Sequence, residues 1–300
     1  MSAPDGRAQV GTVLRSAIGR LGVGPDARAA AEILLASVLD RDRAWLIAHR
    51  DDVVDDAALA RFAELIELRA AGHPVAYLTG RRGFWTLELA VTSDTLIPRA
   101  ETELLVQLAL DRIAGGMPAR IADLGTGSGA VALAIARERP HATLVAVDAS
   151  SAALRVAQNN ARDLGIGNVE FVPGDWFDAL RGLDPFDLVV SNPPYLANAD
   201  PHFSQGDLRF EPRSALAGGV DGLDAIRAIA ALARAQLVDG AWLLLEHGAA
   251  QGSAVRSLLA LAGFENVQTW QDLAGLDRVS GGASPDRKLH GHPGERRIRE

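Results

Sequence analysis

Hydrophobic positions recur at spacings of three and four through the first third of the chain, then give way to short apolar runs separated by glycine and acidic turns. Between Gln9 and Leu21 the set Val10, Val13, Leu14, Ala17, Ile18 and Leu21 marks one face of an amphipathic helix that Gly22 and Gly24 end. Pro25 and Asp26 suit a helix start, and Ala30, Ile33, Leu34 and Val38 carry the same period to Asp40. Trp45, Leu46 and Ile47 form a short apolar patch before the charged turn at Arg50, Asp51 and Asp52. A further helix from Asp56 to Ala71 places Leu59, Phe62, Ala63 and Ile66 on one face and stops at Gly72. The pattern predicts a helical bundle over residues 1–73. A unit of that size is marginal alone, so it is expected to lean on a neighbour or to hold a partner.

His73-Pro74 breaks the helical period, and the alternation from Val75 to Trp85 and through Leu87, Leu89 and Val91 predicts a β-hairpin linker over residues 74–95, turning around Gly80 and Gly83. Glu101 and Glu103 then open a helix running to about Ile113, where the helix dipole favours acids. Over residues 96–280 strands and helices alternate. The strands expected are 120–125, 143–147, 169–172, 186–191 and 242–246; the helices are 130–137, 151–164, 223–237 and 250–262. This alternation predicts an α/β fold with a doubly wound, mostly parallel, Rossmann-like sheet whose ligand lies at the carboxyl ends of the strands. Beyond Gly281 the period is lost in a stretch rich in Gly, Pro, Arg and His, expected to be a disordered tail over residues 281–300. His290 and His292 within it are not expected to form a metal site.

Composition narrows the function. The absence of cysteine removes disulfides, thiolate metal sites and a cysteine nucleophile, and fits a reducing compartment. A formal net charge of −8 argues against a chain that grips nucleic-acid phosphates electrostatically. No apolar run is long enough for a membrane span, and the opening residues with Pro4, Asp5 and Arg7 lack a signal core, so a cytoplasmic protein is expected.

Two stretches carry candidate chemistry. Asp123-Leu124-Gly125-Thr126-Gly127-Ser128-Gly129 follows a strand and opens a helix, with glycines that let a ligand approach the backbone closely. Asp148 ends the next strand about 23 residues beyond the first glycine, near the spacing at which an acid meets a ribose hydroxyl in nucleotide-binding folds. Asp175 and Trp176 follow the third strand. Gly125, Gly127 and Ala130 also fit a dinucleotide fingerprint, which keeps a nicotinamide oxidoreductase in view. The second stretch, Asn192-Pro193-Pro194-Tyr195, argues otherwise. It follows the fourth strand with an amide, a proline-fixed turn and an aromatic ring, a slot suited to a flat nitrogen group. Asp123 favours a ligand carrying amino and sulfonium charges over a pyrophosphate.

Together these motifs resemble the class I S-adenosylmethionine-dependent methyltransferases that modify a planar NH₂ group. The order helical bundle, Gly83-Phe84-Trp85, Ile97-Pro98-Arg99-Ala100-Glu101-Thr102-Glu103, glycine turn, Gly174-Asp175-Trp176-Phe177, Asn-Pro-Pro-Tyr, then Leu244-Leu245-Glu246-His247-Gly248 is similar to the peptide chain release factor glutamine methyltransferases of the HemK type. The resemblance implies transfer of a methyl group from S-adenosylmethionine, leaving S-adenosylhomocysteine, to the side-chain N5 of the glutamine in a release factor's Gly-Gly-Gln loop. Catalysis would fall to Asn192, Pro193 and Tyr195, and substrate binding to these with Pro194. The cofactor would meet Gly125, Thr126, Gly127, Ser128, Gly129, Asp148, Asp175, Trp176 and Asn192. No metal is expected, and His247 is expected at a strand end rather than as a base. The partner is the release factor, recognised through the helical bundle, with no direct nucleic-acid or membrane recognition. The rivals are a ribosomal-protein glutamine methyltransferase and a DNA adenine methyltransferase. The second would need to flip a base and hold phosphates, and the acidic chain shows no domain for that.

Overall fold

A computed structural model describes residues 8–22 and 24–286, arranged as two compact units. One comprises the chain through Arg81 together with Val91–Ser93 and Pro201–Phe210. Its helices are α1 (Val10–Leu21), α2 (Pro25–Leu39), α3 (Arg43–Ala48), α4 (Asp56–Ala70) and α5 (Val75–Thr79). They bury Val13, Leu34, Leu35, Leu46, Phe62, Leu65 and Ile66 in one core. The Trp45 patch is helical because Asp42 caps it, accepting the Trp45 N–H at 2.7 Å. Asp55 does the same for α4, accepting from Ala58 at 2.8 Å.

The segment Pro201–Phe210, distant in sequence, belongs to this helical unit. Arg69 Nη1 pairs with Asp207 at 3.2 Å, Arg209 donates to the Ala71 carbonyl at 3.0 Å, and Phe210 lies 4.3 Å from the His73 ring. Nothing in the hydrophobic period of residues 201–210 marks this, because the contacts are polar and aromatic rather than periodic.

The second unit holds a short hairpin, β1 (Arg81–Phe84) with β2 (Leu87–Ala90), and a seven-stranded sheet. The linker expectation over residues 74–95 needs correction: its first part is helix α5, and Gly80 ends that helix instead of turning the hairpin, which turns at Trp85 and Thr86. The sheet contains β3 (Arg120–Leu124), β4 (Thr143–Asp148), β5 (Val169–Pro173), β6 (Phe186–Ser191), β7 (Leu237–Glu246), β8 (Glu265–Gln271) and β9 (Asp277–Ala283), in the order β5-β4-β3-β6-β7-β9-β8. The first five are parallel and β9 runs antiparallel to both its neighbours. Helices α6 (Glu103–Arg112), α7 (Ala130–Glu138), α8 (Ser151–Asp163), α9 (Asp224–Ala233) and α10 (Gly252–Leu261) cover it. The result is a doubly wound, mostly parallel sheet with two apolar cores, one on each face of alternating strand residues. Ile121, Leu144 and Leu188 lie in one core; Ala122, Val145 and Val189 lie in the other.

The tail boundary at residue 281 also needs correction, since Gly281-Gly282-Ala283 complete β9. A Cβ on Gly281 would stand 2.5 Å from the Leu243 carbonyl, and one on Gly282 2.8 Å from Phe264 Cβ. These glycines, which resemble loop composition, permit close strand approach. The expected tail beyond Asp286, with His290 and His292, and the opening residues Pro4, Asp5 and Arg7 lie outside the described residues.

Strand order fixes where a site falls. From β3 the chain steps outward to β4 and β5, then returns to lay β6 on the other side of β3, so the turns after β3 and β6 diverge at a topological switch point. Leu124 pairs with Ser191 in register, and Ser191 Oγ, fully buried, donates to the Leu124 carbonyl at 2.6 Å.

Candidate active site

The two turns at the switch point meet one cleft of about 160 Å³. Gly125, Gly127, Asp148, Asp175, Trp176, Asn192 and Pro194 line it. A smaller adjoining cavity is lined by Asp123, Gly125, Thr126, Gly127, Ser128, Thr102 and Asn192. Asn192 therefore lines both. Gly129, Pro193 and Tyr195 line neither.

In the glycine turn the backbone faces the cleft and the side chains face inward. Gly125 and Gly127 have φ of 76° and 58°, and a Cβ at Gly127 would meet no atom within 4 Å, so the cleft there is shaped by bare backbone. Thr126 and Ser128 are buried. The Thr126 hydroxyl donates to Asp123 Oδ2 at 2.7 Å, and the α7 amide of Ala132 donates to the same oxygen at 3.1 Å. Burial pushes the Asp123 carboxyl up to about 7 despite these two bonds, which pull the other way, and nearby Asp148 adds to the rise. Asn160, which no motif singles out, holds the turn from behind. Its Nδ2 donates to the Ser128 carbonyl at 2.9 Å and to Ala90 at 3.0 Å, and its Oδ1 accepts the Ala90 N–H at 2.8 Å.

Asp148 ends β4 with Oδ2 accepting the Gly127 N–H and Oδ1 accepting the Ser150 N–H, both at 2.8 Å. A carboxylate has about four lone-pair sites, so acceptor capacity remains on both oxygens. Trp176 holds a φ of 41°, uncommon for a bulky residue, and its ring comes within 3.4 Å of the Cβ position of Gly125. Asp175 beside it is exposed.

The turn after β6 is built differently. Asn192 Nδ2 donates to Thr102 Oγ1 at 3.2 Å. The Tyr195 carbonyl accepts Gln251 Nε2 at 3.0 Å. Burial first, then the Glu246 charge, raise the Tyr195 hydroxyl above its usual range. Glu246, at the end of β7, is 1% exposed, and burial lifts it to about 7, offset by the neighbouring Thr102 and Tyr195 hydroxyls and by the Arg278 charge. Gly222 leaves room for the turn: a Cβ there would lie 2.2 Å from the Tyr195 carbonyl. Gln251 and Gly222 come from segments after β7 and before α9, and sequence spacing alone does not bring them to Tyr195.

Neighbouring residues are structural. Arg99 pairs with buried Glu211, whose Oε2 also accepts the Ile97 N–H at 3.1 Å. Glu103 accepts the Trp85 N–H at 2.9 Å. His247, fully buried just past β7, accepts at Nε2 from Ser280 Oγ at 2.7 Å while Nδ1 donates to the Gly248 carbonyl at 2.9 Å, the tautomer these partners dictate. Burial lowers its pKa, as expected of a neutral ring. No cluster of metal-binding side chains and no helix long and apolar enough to cross a membrane occur among the described residues.

A five-strand parallel core, a glycine turn after its central strand and an acid ending the next strand define a protein of the Rossmann-like class. Residues 95–206 match the methyltransferase small domain family, and residues 12–80 match the PrmC N-terminal domain family. The chain is 58% identical over 258 residues to the release factor glutamine methyltransferase of Xylella fastidiosa (strain Temecula1 / ATCC 700964), covering 86% of this chain and 94% of that protein. It is 45% identical over 267 residues to the protein of the same name from Escherichia coli (strain K12), covering 89% and 96%. The fold is shared with a 16S rRNA methyltransferase from T. thermophilus at a TM-score of 0.50 and 20% identity, over 68% of this chain and 49% of that one. The chain belongs to the release factor glutamine methyltransferase family, and it is an enzyme.

Proposed function

We propose that this enzyme methylates the side-chain nitrogen of a glutamine in peptide chain release factors, with S-adenosylmethionine as donor. The observation that carries this is the position of Asn192, which lines both the large cleft and the small cavity of the glycine turn. Family membership supports the substrate; the names of the relatives specify release factor glutamine.

The residues present fit the donor. The bare Gly125–Gly127 backbone leaves space where a side chain would intrude, and Asp123 borders the small cavity as the acid for an ammonium group. Asp148 has acceptor capacity for ribose hydroxyls, and Trp176 with Asp175 borders the cleft where an adenine would lie. S-adenosylmethionine supplies an electrophilic methyl group on a sulfonium centre. Of the expected cofactor ligands, Thr126 and Ser128 act through the backbone, and Gly129 acts as the start of α7.

The chain's own contribution is to prepare a poor nucleophile. An amide lone pair is shared with its carbonyl, the resonance that flattens peptide bonds. Asn192 Oδ1 and the Pro193 carbonyl accept the two amide hydrogens, turning the nitrogen toward the methyl donor and favouring the partly positive nitrogen of the transition state. Pro194 walls the cleft beside them. Tyr195, whose ring lines neither cavity, holds the turn through its carbonyl bond to Gln251 and so serves the site mainly by fixing its neighbours. A strong base is not needed, because the surplus proton on the methylated amide is very acidic.

Incubation with labelled S-adenosylmethionine and a purified release factor, followed by peptide mapping, tests the proposal. Label on one glutamine side chain supports it; label elsewhere, or on ribosomal protein or DNA in preference, overturns it.

A further inference from the structure

The Asn-Pro-Pro-Tyr turn is fixed at its start by β6, where Ser191 pairs with Leu124 and Leu245, and the rings of Pro193 and Pro194 lock two φ angles within it. Its far end is set by the peptide group that follows Tyr195. That group is held at both edges: the Tyr195 carbonyl accepts from Gln251 Nε2 at 3.0 Å, and the Leu196 N–H donates to the Leu216 carbonyl at 2.9 Å. The second bond is backbone to backbone. The first depends on which way round the Gln251 amide is turned.

An amide side chain carries a donor and an acceptor of nearly the same shape, so its direction must come from partners whose polarity cannot change. Gln251 has such partners at both ends. Its Oε1 accepts the Gly248 N–H at 2.8 Å, and a backbone N–H only donates. Its Nε2 faces the Tyr195 carbonyl and, at 3.4 Å, the Gly222 carbonyl, and both only accept. Turned over, the amide would set oxygen against oxygen at one end and N–H against N–H at the other.

Gly248 is in turn held by a buried chain. Its carbonyl accepts the Gln251 N–H and His247 Nδ1, both at 2.9 Å. Because that carbonyl only accepts, the proton of the neutral His247 ring sits on Nδ1, and Nε2 must accept from Ser280 Oγ at 2.7 Å. With its one proton so placed, Ser280 must accept from Thr269 Oγ1, its cross-strand partner on β8, at 2.7 Å. Thr269 is then left to accept, and Arg256 Nη1 of α10, which only donates, stands 2.7 Å from it. Every proton has one place, and the two ends of the chain, a carbonyl and a guanidinium, dictate the same direction. His247 and Ser280 are both 0% exposed, so water does not compete for these bonds.

We propose that Gln251 and His247 are positioning residues: Gln251 pins the peptide after Tyr195 and so aims the Pro193 carbonyl and Asn192 Oδ1, while the chain from Arg256 through His247 fixes the Gly248 turn from which Gln251 reaches. This rests on those two oxygens gripping the glutamine amide. Gln251→Met keeps the length and removes both hydrogen bonds; kcat is expected to fall roughly tenfold or more, as when reacting groups are displaced by a fraction of an ångström. Cofactor Kd and the KM for release factor should stay within about twofold, since orientation changes and the binding surfaces do not.

Gln251→Glu is the sharper test. It keeps the acceptor for Gly248 and, when ionised, sets an oxygen against the Tyr195 carbonyl; when protonated it regains a donor there. At saturating cofactor its kcat relative to wild type should therefore climb several-fold as pH falls from about 8.5 to about 5.5, whereas Gln251→Met shows no such recovery. Thermal melts on each variant separate loss of rate from loss of fold. Nitrogen-15 NMR of the wild-type imidazoles, with the His247 signals assigned by their loss in His247→Phe, should show Nδ1 protonated and Nε2 bare at pH 7. Wild-type kcat in both Gln251 variants, a flat pH ratio in Gln251→Glu, or a His247 ring protonated at Nε2 would overturn the proposal. Full activity in Asn192→Ala would instead overturn the underlying assignment of Asn192, so the two failures are told apart.

Discussion

The turn after β3 and the turn after β6 leave adjacent parallel strands at the same level, yet they are made by opposite means. The first strips side chains away: Gly125 and Gly127 offer bare backbone, while Thr126 and Ser128 point into the protein. The second depends on one side chain, Asn192, and surrounds its turn with restraints from Thr102, Gln251 and Gly222. A site that must hold a whole molecule gains from removing atoms. A site that must orient one amide gains from fixing a single group whose donor and acceptor must not exchange.

The largest consequence of this contrast concerns Asn192. Asn192→Ala is expected to lower turnover by about two to three orders of magnitude, the usual cost of losing one preorganised polar contact. Calorimetry should show cofactor affinity nearly unchanged. If affinity falls as far as turnover does, the two turns do not divide the work as described.

Next comes the buried acid behind the second turn. Glu246 has a folded-state pKa raised to about 7, so its stabilising contribution is complete below its unfolded value and is lost as pH rises through 7. Urea unfolding of Glu246→Leu and wild type at pH 5 and pH 8.5 should therefore move in the variant's favour by roughly 3 kcal/mol on raising the pH. Taking the difference between the two proteins cancels the opposite trend from His247, whose lowered pKa favours the folded state as pH rises through its range. A pH-independent difference would mean that Glu246 is not buried as described.

Smaller effects belong to the first turn. Asp148→Ala should weaken cofactor binding by about tenfold, the order of one or two hydrogen bonds to a charged acceptor, with turnover at saturating cofactor largely kept. Asp123, raised to about 7 in the ligand-free protein, must lose its proton to face an ammonium group. Cofactor affinity should thus fall as pH drops below 7, by up to about tenfold per unit. Proton release, read by calorimetry in buffers of different ionisation enthalpy, should accompany binding near pH 6.5; its absence would remove Asp123 from the ammonium site.

The same contrast explains what was legible in the sequence. Amphipathic periods located α1, α2 and α4, and apolar runs located the five parallel strands, because each of these buries a continuous face. Glycine spacing and Asp148 placed the first turn, since its chemistry lies in consecutive residues and one fixed interval. Asn-Pro-Pro-Tyr placed the second turn, but not its restraints, because Thr102, Gln251 and Gly222 are brought in from three separate segments by the sheet order. Strand β9 is not legible because Gly281 and Gly282 suggest loop while serving strand packing. Helix α5 escaped because Pro74 suggests a break and in fact caps the helix start.

The division of labour is tested most directly by measuring cofactor Kd and single-turnover rate side by side in Asn192→Ala and Gly127→Leu. The leucine would be strained at a φ of 58° and would project into open cleft. The expected result is crossed: Gly127→Leu loses affinity by about tenfold or more, and Asn192→Ala keeps affinity while losing rate. Parallel losses of both quantities in both variants would contradict the account.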